Sequence, residues 1–246
     1  MKTGINEFYK NLKQRIASYG KNKKLLEKSK SFFIESIKEG YSYNFNWLGR
    51  PIIQYPQDIV AIQEIIWKTK PDIIVETGIA HGGSLVLSAS ILELLGGERF
   101  VIGIDIDIRP HNRRAIDDHP MSKRIKMVQG SSVDKSIVEE VLSMIPNGKS
   151  VMVILDSNHT HDHVANELIA YAQLVSKGNY LIVFDTIIED IADEFEWEGR
   201  PWGKGNNPKT AVREFLENND QFEVDMEYEN KLLITVAPEG YLKRIK

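Results

Sequence analysis

Hydrophobic spacing divides the chain near residue 72. Before it, Phe8, Leu12 and Ile16, then Phe32, Phe33 and Ile37, recur at helical intervals, with Gly20 and Gly40 as stops. Residues 41–58, "YSYNFNWLGRPIIQYPQD", are aromatic, proline-punctuated and without a sustained period. They read as an ordered loop, and a loop of that length in a compact domain usually has a task such as that of a lid. Asp58 is expected to cap the next helix, which carries Ile59, Ile62, Ile65 and Ile66.

From residue 72 onward strand, turn and helix alternate. "DIIVE" (72–76) precedes a helix over 83–95, and "FVIGID" (100–105) precedes one near 110–118. "IKMVQG" (125–130) leads to 134–145, "SVMVILD" (150–156) to 160–175, and "NYLIVFD" (179–185) closes the set. The strands are short and almost continuously apolar, as expected when helices cover both faces of a parallel sheet. After a helix at 209–218, "FEVDMEY" (222–228) and "KLLITVAP" (231–238) lie only two residues apart, so they are expected to pair as an antiparallel hairpin. The predicted fold class is α/β: a doubly wound, seven-stranded mixed sheet, five parallel strands plus a C-terminal antiparallel hairpin. Residues 1–57 form a helical segment and lid-like loop beside the main unit, 58–246, in one compact domain.

Composition narrows the function. A chain of 246 residues suits one large α/β domain, and 42% apolar residues supply an ordinary core. A net charge of −4 argues against nucleic acid as a partner. There is no cysteine, which removes disulfide and thiolate chemistry. The opening residues lack an apolar signal core and no run reaches transmembrane length, so a cytoplasmic location is expected. Basic "KNKKLLEKSK" (21–30) reads as a solvated helix face. The helical segment and the aromatic stretch offer surfaces for a homo-oligomer.

The turn "ETGIAHGGS" (76–84) holds the candidate cofactor site. In open α/β sheets ligands bind beyond the carboxyl ends of the strands, at the point where strand order reverses. Gly78 and Gly82 let backbone approach a ligand, Ala80, His81 and Ser84 share the turn, and the helix that follows offers free N–H groups. Asp105, ending the second strand, suits ribose hydroxyls, with Asp107 just beyond; Ser131 and Ser132 end the third, where adenine would lie. Glu76 would repel a pyrophosphate and favours a cationic ligand. S-adenosylmethionine therefore fits better than a dinucleotide.

"NWLGRPIIQYPQD", "ETGIAHGGS", "GIDIDIRPHN", "LDSNHTHDH", "VFDTIIED" and "RPWGKGNNPKT" together resemble the cephalosporin hydroxylase family, from about residue 41 to the end. The resemblance implies the Rossmann-like fold and cofactor site of S-adenosylmethionine-dependent methyltransferases, related to metal-dependent macrolide and sugar O-methyltransferases.

Asp156 and Asp185 end adjacent strands, about 4.8 Å apart in a parallel sheet. Such carboxylates repel unless a cation such as Mg²⁺ lies between them. Asp156 also borders the cofactor site. Metal-dependent relatives carry an Asp and then an adjacent Glu-Asp; here Phe184-Asp185 stands in that place, so Thr186, Glu189 or Asp190 would have to complete the ligands. In the macrolide enzymes a histidine three residues after the first Asp resembles the general base, which points to His159. Removing a hydroxyl proton suits an imidazole. His161 and His163 are expected as pocket or capping residues, with a transition-metal cluster as the rival reading.

Trp47 and Tyr55 are candidates to close over the cofactor, Arg50 and Arg200 to bind an anion, and Asn206 and Asn207 to meet sugar hydroxyls. Arg109, His111 and Asn112 line the adenosine pocket or cap the next helix. The expected activity is methyl transfer to a hydroxyl of a sugar or other small natural product, such as one in a surface polysaccharide or glycolipid. Alternatives are N-methylation, Fe(II)-dependent hydroxylation as the family name suggests, and a non-catalytic cofactor-binding subunit.

Overall fold

The computed structural model describes residues 2–195 and 199–246. Helices α1 (Lys2–Tyr19) and α2 (Lys23–Lys38) lead into a two-stranded ribbon of β1 (Phe45–Trp47) and β2 (Arg50–Ile52). Helix α3 (Pro56–Thr69), β3 (Ile73–Thr77), α4 (Gly83–Leu95), β4 (Phe100–Asp105), α5 (Pro110–Asp117), β5 (Ile125–Gln129) and α6 (Lys135–Ser143) follow. The chain continues through β6 (Val151–Leu155), α7 (His161–Tyr171), β7 (Tyr180–Val183), α8 (Ile188–Ile191) and α9 (Pro208–Glu217) to β8 (Phe222–Val224), α10 (Met226–Leu232) and β9 (Tyr241–Arg244).

Seven strands form one sheet in the order β5-β4-β3-β6-β7-β9-β8, parallel through β7 and antiparallel at β9 and β8. The mixed seven-stranded α/β architecture matches the sequence expectation. Alternate residues of β3 and β6 face opposite layers: Ile74, Met152 and Ile154 join one core with Ile62 and Leu85, while Ile73, Val75 and Val153 join another with Leu168 and Val212. Burial on both faces explains the unbroken apolar runs. The order reverses between β3 and β6, so a crevice opens at their carboxyl ends.

Three local expectations need correction. The C-terminal antiparallel pair exists, but its second strand is 241–244, not 231–238. Asp225 accepts from the Glu227 amide and starts α10, turning the chain out of the sheet. "LLITVAP" is apolar because it crosses the core, not because it pairs: Asp58 accepts from Thr235 Oγ1 (2.5 Å), the Val236 amide (3.0 Å) and Tyr241 Oη (2.6 Å). Asp58 is therefore no cap. Tyr55 is the N-cap residue of α3 and Pro56 opens the helix, while Asp58 sits fully buried in its first turn. Finally, residues 45–52 of the expected loop form the β1–β2 ribbon, with Trp47 paired opposite Arg50.

Candidate active site

The turn after β3 is tightly held. Ala80 takes a left-handed conformation (φ 46°), which strains any residue with a Cβ. Three side chains fix it there. Asp105 Oδ2 accepts from the Ile79 (2.8 Å) and Ala80 (3.2 Å) amides, and Oδ1 from the Asp107 amide (3.0 Å). Asn112 donates to the Ala80 carbonyl (2.9 Å). Arg50 donates from Nε (2.9 Å) and Nη2 (2.5 Å) to the His81 carbonyl, and from Nη2 to Asn112 Oδ1 (3.1 Å). Arg50, a candidate to bind an anion, and Asn112, a candidate pocket or capping residue, both brace the turn. The glycines serve the same packing: a Cβ on Gly78 would lie 2.0 Å from the Asp156 carbonyl, and one on Gly83 would lie 2.2 Å from the Pro51 carbonyl. Turn, ribbon and β6 exit meet backbone to backbone.

Between them lies a cleft open to solvent on one side. Glu76, Gly78, Ala80, His81, Ser84 and Asp156 line it, as do Ile52, Gln54, Ile79, Ile154 and Phe184. Glu76 is 1% exposed, and its Oε2 has no hydrogen-bond partner. Burial pushes its carboxyl up to about 7, against the nearby hydroxyls of Ser84 and Ser88, which pull it down. A buried acidic oxygen without a partner, in a mostly apolar cleft, suits a ligand bearing donors or positive charge.

Beside Glu76 the β6 and β7 exits bring two more acids together. Asp156 is raised well above the usual carboxylate range, first by burial and next by the charge of Asp185. Asp185 itself adopts a left-handed conformation (φ 55°). His159 Nδ1 stands 3.4 Å from Asp185 Oδ2, and its ring meets that of Trp202 edge-on at 4.8 Å between centroids. Arg200 lies 5.2 Å from the Trp202 ring centre. Trp202 escaped sequence reasoning; its place in "RPWGKGNNPKT" was the one available signal.

Other expected site residues are held elsewhere. Ser132 Oγ donates to Glu167 Oε1 (2.5 Å) and meets His163 Nε2 (3.1 Å). Gly82, Asp105, Asp107 and Ser131 do not line the cleft; Asp107 is exposed, 4.0 Å from Arg109. Thr186 is fully buried and donates to the Pro238 carbonyl (2.7 Å), so it does not join the two aspartates. Glu189 accepts from the Gly205 amide and Asn207 Nδ2, and Asp190 pairs with buried Lys209 (2.7 Å). Both carboxylates are thus engaged by neighbours further along the loop that follows β7.

The histidines of "HTHDH" diverge: His161 bridges Thr210 Oγ1 (2.8 Å) and Glu214 (2.9 Å), and His163 joins Ser157 and Glu167. Among the described residues no three His, Cys, Asp or Glu are grouped to hold a metal ion. Asn206 accepts from the His161 amide, and Asn207 is the buried N-cap of α9. Trp47 donates to Ser90 (3.0 Å) and Tyr55 stacks on Phe33 at 4.7 Å. Residues 51–54, rather than these two rings, wall the cleft.

Residues 39–245 match the family "Rhamnosyl O-methyltransferase/CmcI". A rhamnosyl O-methyltransferase of Mycobacterium tuberculosis (strain H37Rv) is 32% identical over 196 residues, covering 76% of this chain and 73% of that protein. One from Mycobacterium leprae is 26% identical, covering 85% and 90%. Among solved structures, CmcI with Mg and SAM superposes with a TM-score of 0.58 at 22% identity, covering 83% of this chain and 78% of that one. An O-methyltransferase from Bacillus cereus in complex with SAH reaches 0.56 at 13% identity, covering 92% of both. These two likenesses bear on the fold.

Proposed function

The chain belongs to the rhamnosyl O-methyltransferase/CmcI family, and from that premise we propose that it is an S-adenosylmethionine-dependent O-methyltransferase acting on a sugar hydroxyl. The observation that carries this reading is the buried, unpartnered Glu76 oxygen in a cleft shared with Asp156, next to the His159–Asp185 pair. S-adenosylmethionine supplies an electrophilic methyl group when bound. Glu76 would receive its ammonium or sulfonium cation, Gly78, Ala80, His81 and Ser84 would shape the cleft around it, and Asp105 holds the turn rigid while keeping lone pairs for a ribose. The acceptor hydroxyl must lose a proton as its oxygen attacks carbon. His159 takes it, with Asp185 at Nδ1 steadying the imidazolium that forms.

The mutual repulsion of Asp156 and Asp185 fits a divalent cation: Mg²⁺ would rest on these two carboxylates, with water and acceptor oxygens completing its shell, and would lower the acceptor's pKa. The rhamnosyl relatives make a deoxysugar the leading acceptor class. Calorimetric titration with S-adenosylmethionine, with chelator and then with Mg²⁺ restored, tests the reading. Micromolar binding retained in chelator supports the cofactor site; no binding under either condition overturns it.

A further inference from the structure

Helix α1 carries an apolar stripe of which only half is covered. Ile5, Phe8, Tyr9, Leu12 and Ile16 recur at the spacing that stacks side chains along one helix face. At its carboxyl end the stripe packs normally: Ile16 is 4% exposed, and Gly20 lies against Asn230 of α10. Along its first half the same stripe is left half uncovered by the described residues. Ile5, Phe8 and Tyr9 are 50%, 52% and 55% exposed.

Charge is distributed as unevenly as cover. Residues 1–30 hold nine Lys or Arg and two Asp or Glu, while the rest of the chain holds 22 and 33. On the helix, Lys13 and Arg15 flank the stripe at about 80° to either side, and Arg15 reaches back over the Phe8 ring. Lys23, Lys24, Lys28 and Lys30 of α2 are exposed and form no ion pair among the described residues. Pairing this face with its copy on a second molecule would bring two such basic segments together, which like-charge repulsion opposes.

We infer that α1, with the lysines of α2, docks the protein on an anionic lipid bilayer, the exposed stripe entering the headgroup boundary and the flanking basic side chains meeting the acidic headgroups. The inferred docking is peripheral, and among the described residues no helix is long and apolar enough to cross a membrane. The inference does not depend on the methyl-transfer reading.

Co-sedimentation of the full chain with vesicles tests it. Partition onto phosphatidylglycerol–phosphatidylcholine vesicles is expected to exceed that onto pure phosphatidylcholine by at least roughly tenfold at low salt and to fall steeply in half-molar salt. The pairs Phe8→Ser with Tyr9→Ser, and Lys23→Glu with Lys24→Glu, alter exposed side chains; each is expected to abolish binding with an unchanged thermal unfolding midpoint. Equal partition on both vesicles, or binding by the variants as strong as by the parent, overturns the inference. So does a Phe8→Ser/Tyr9→Ser variant that turns a stable oligomer into a monomer while no vesicle binding is seen, which would assign the stripe to a second copy.

Discussion

His159 Nδ1 and Asp185 Oδ2 lie 3.4 Å apart, joining the loop that follows β6 to the exit of β7. With Nδ1 facing Asp185, Nε2 is the ring nitrogen proposed to accept a proton from an acceptor. His159→Ala is expected to lower kcat by roughly 10²–10⁴ with S-adenosylmethionine affinity unchanged. Steady-state kinetics beside calorimetry check this; an equal loss in affinity would make the ring a cofactor contact rather than a base.

Glu76 makes stability and binding respond to pH in opposite senses. Its carboxyl titrates at about 7 in the folded protein against 4.5 ordinarily, so between these values the native state holds the extra proton. Stability from this group is full below pH 4.5, falls as pH rises towards 7, and is flat above. Glu76→Gln is expected to raise the unfolding midpoint at pH 8 and leave it nearly unchanged at pH 5. Affinity for cationic S-adenosylmethionine should rise from pH 6 to 8 in the parent and lose that rise in the variant. Scanning calorimetry and titration at three pH values read both.

The bond from Arg50 to the His81 carbonyl holds a strained turn rather than a ligand. Arg50→Ala removes charge-assisted hydrogen bonds of about 1.5–3 kcal/mol. The expected result is a ten- to hundredfold weaker S-adenosylmethionine Kd, on the order of that energy, with kcat at saturation little changed. Arg50→Lys should rescue poorly, since a point charge cannot reach both the His81 carbonyl and Asn112. An unaltered Kd in both variants would show that the turn keeps its shape unaided.

Asp156 and Asp185 repel each other in a half-buried setting, so a divalent cation should stabilise the fold. Mg²⁺ is expected to raise the unfolding midpoint relative to chelator, and Asp156→Asn to remove that increment. If the parent shows no increment, a proton rather than a metal ion relieves the pair.

Asp58 ties α3 to β9 and the chain just ahead of it through three accepted hydrogen bonds, although burial lifts its carboxyl to about 6. Asp58→Ala strands three donors, two of them on Thr235 and Tyr241, and is expected to destabilise by on the order of 3 kcal/mol. Chemical denaturation measures the loss; a change below about 1 kcal/mol would mean water replaces the carboxylate.

Local pattern carried much of the fold. The strand Phe100–Asp105 and the helix Gly83–Leu95 stand where apolar runs and turn residues put them. Burial on both faces and glycine turns are short-range properties, legible in a few neighbouring letters. The same holds for Glu76, Gly78, His81, Ser84 and Asp156, which the strand ends deliver to one cleft. "LLITVAP" misled because an apolar run says that a segment is buried without saying what covers it.

By itself, then, the sequence determined the alternation of elements, the parallel sheet and the row of strand ends at which chemistry gathers, because each follows from periodicity and local turn geometry. Only the tertiary structure decided that Arg50 and Asn112 clamp the turn, that Asp58 anchors the final crossing, and that Trp202 meets His159. Those contacts join residues far apart along the chain, and a lone polar or aromatic letter carries no periodic trace of the partner that the fold will bring to it.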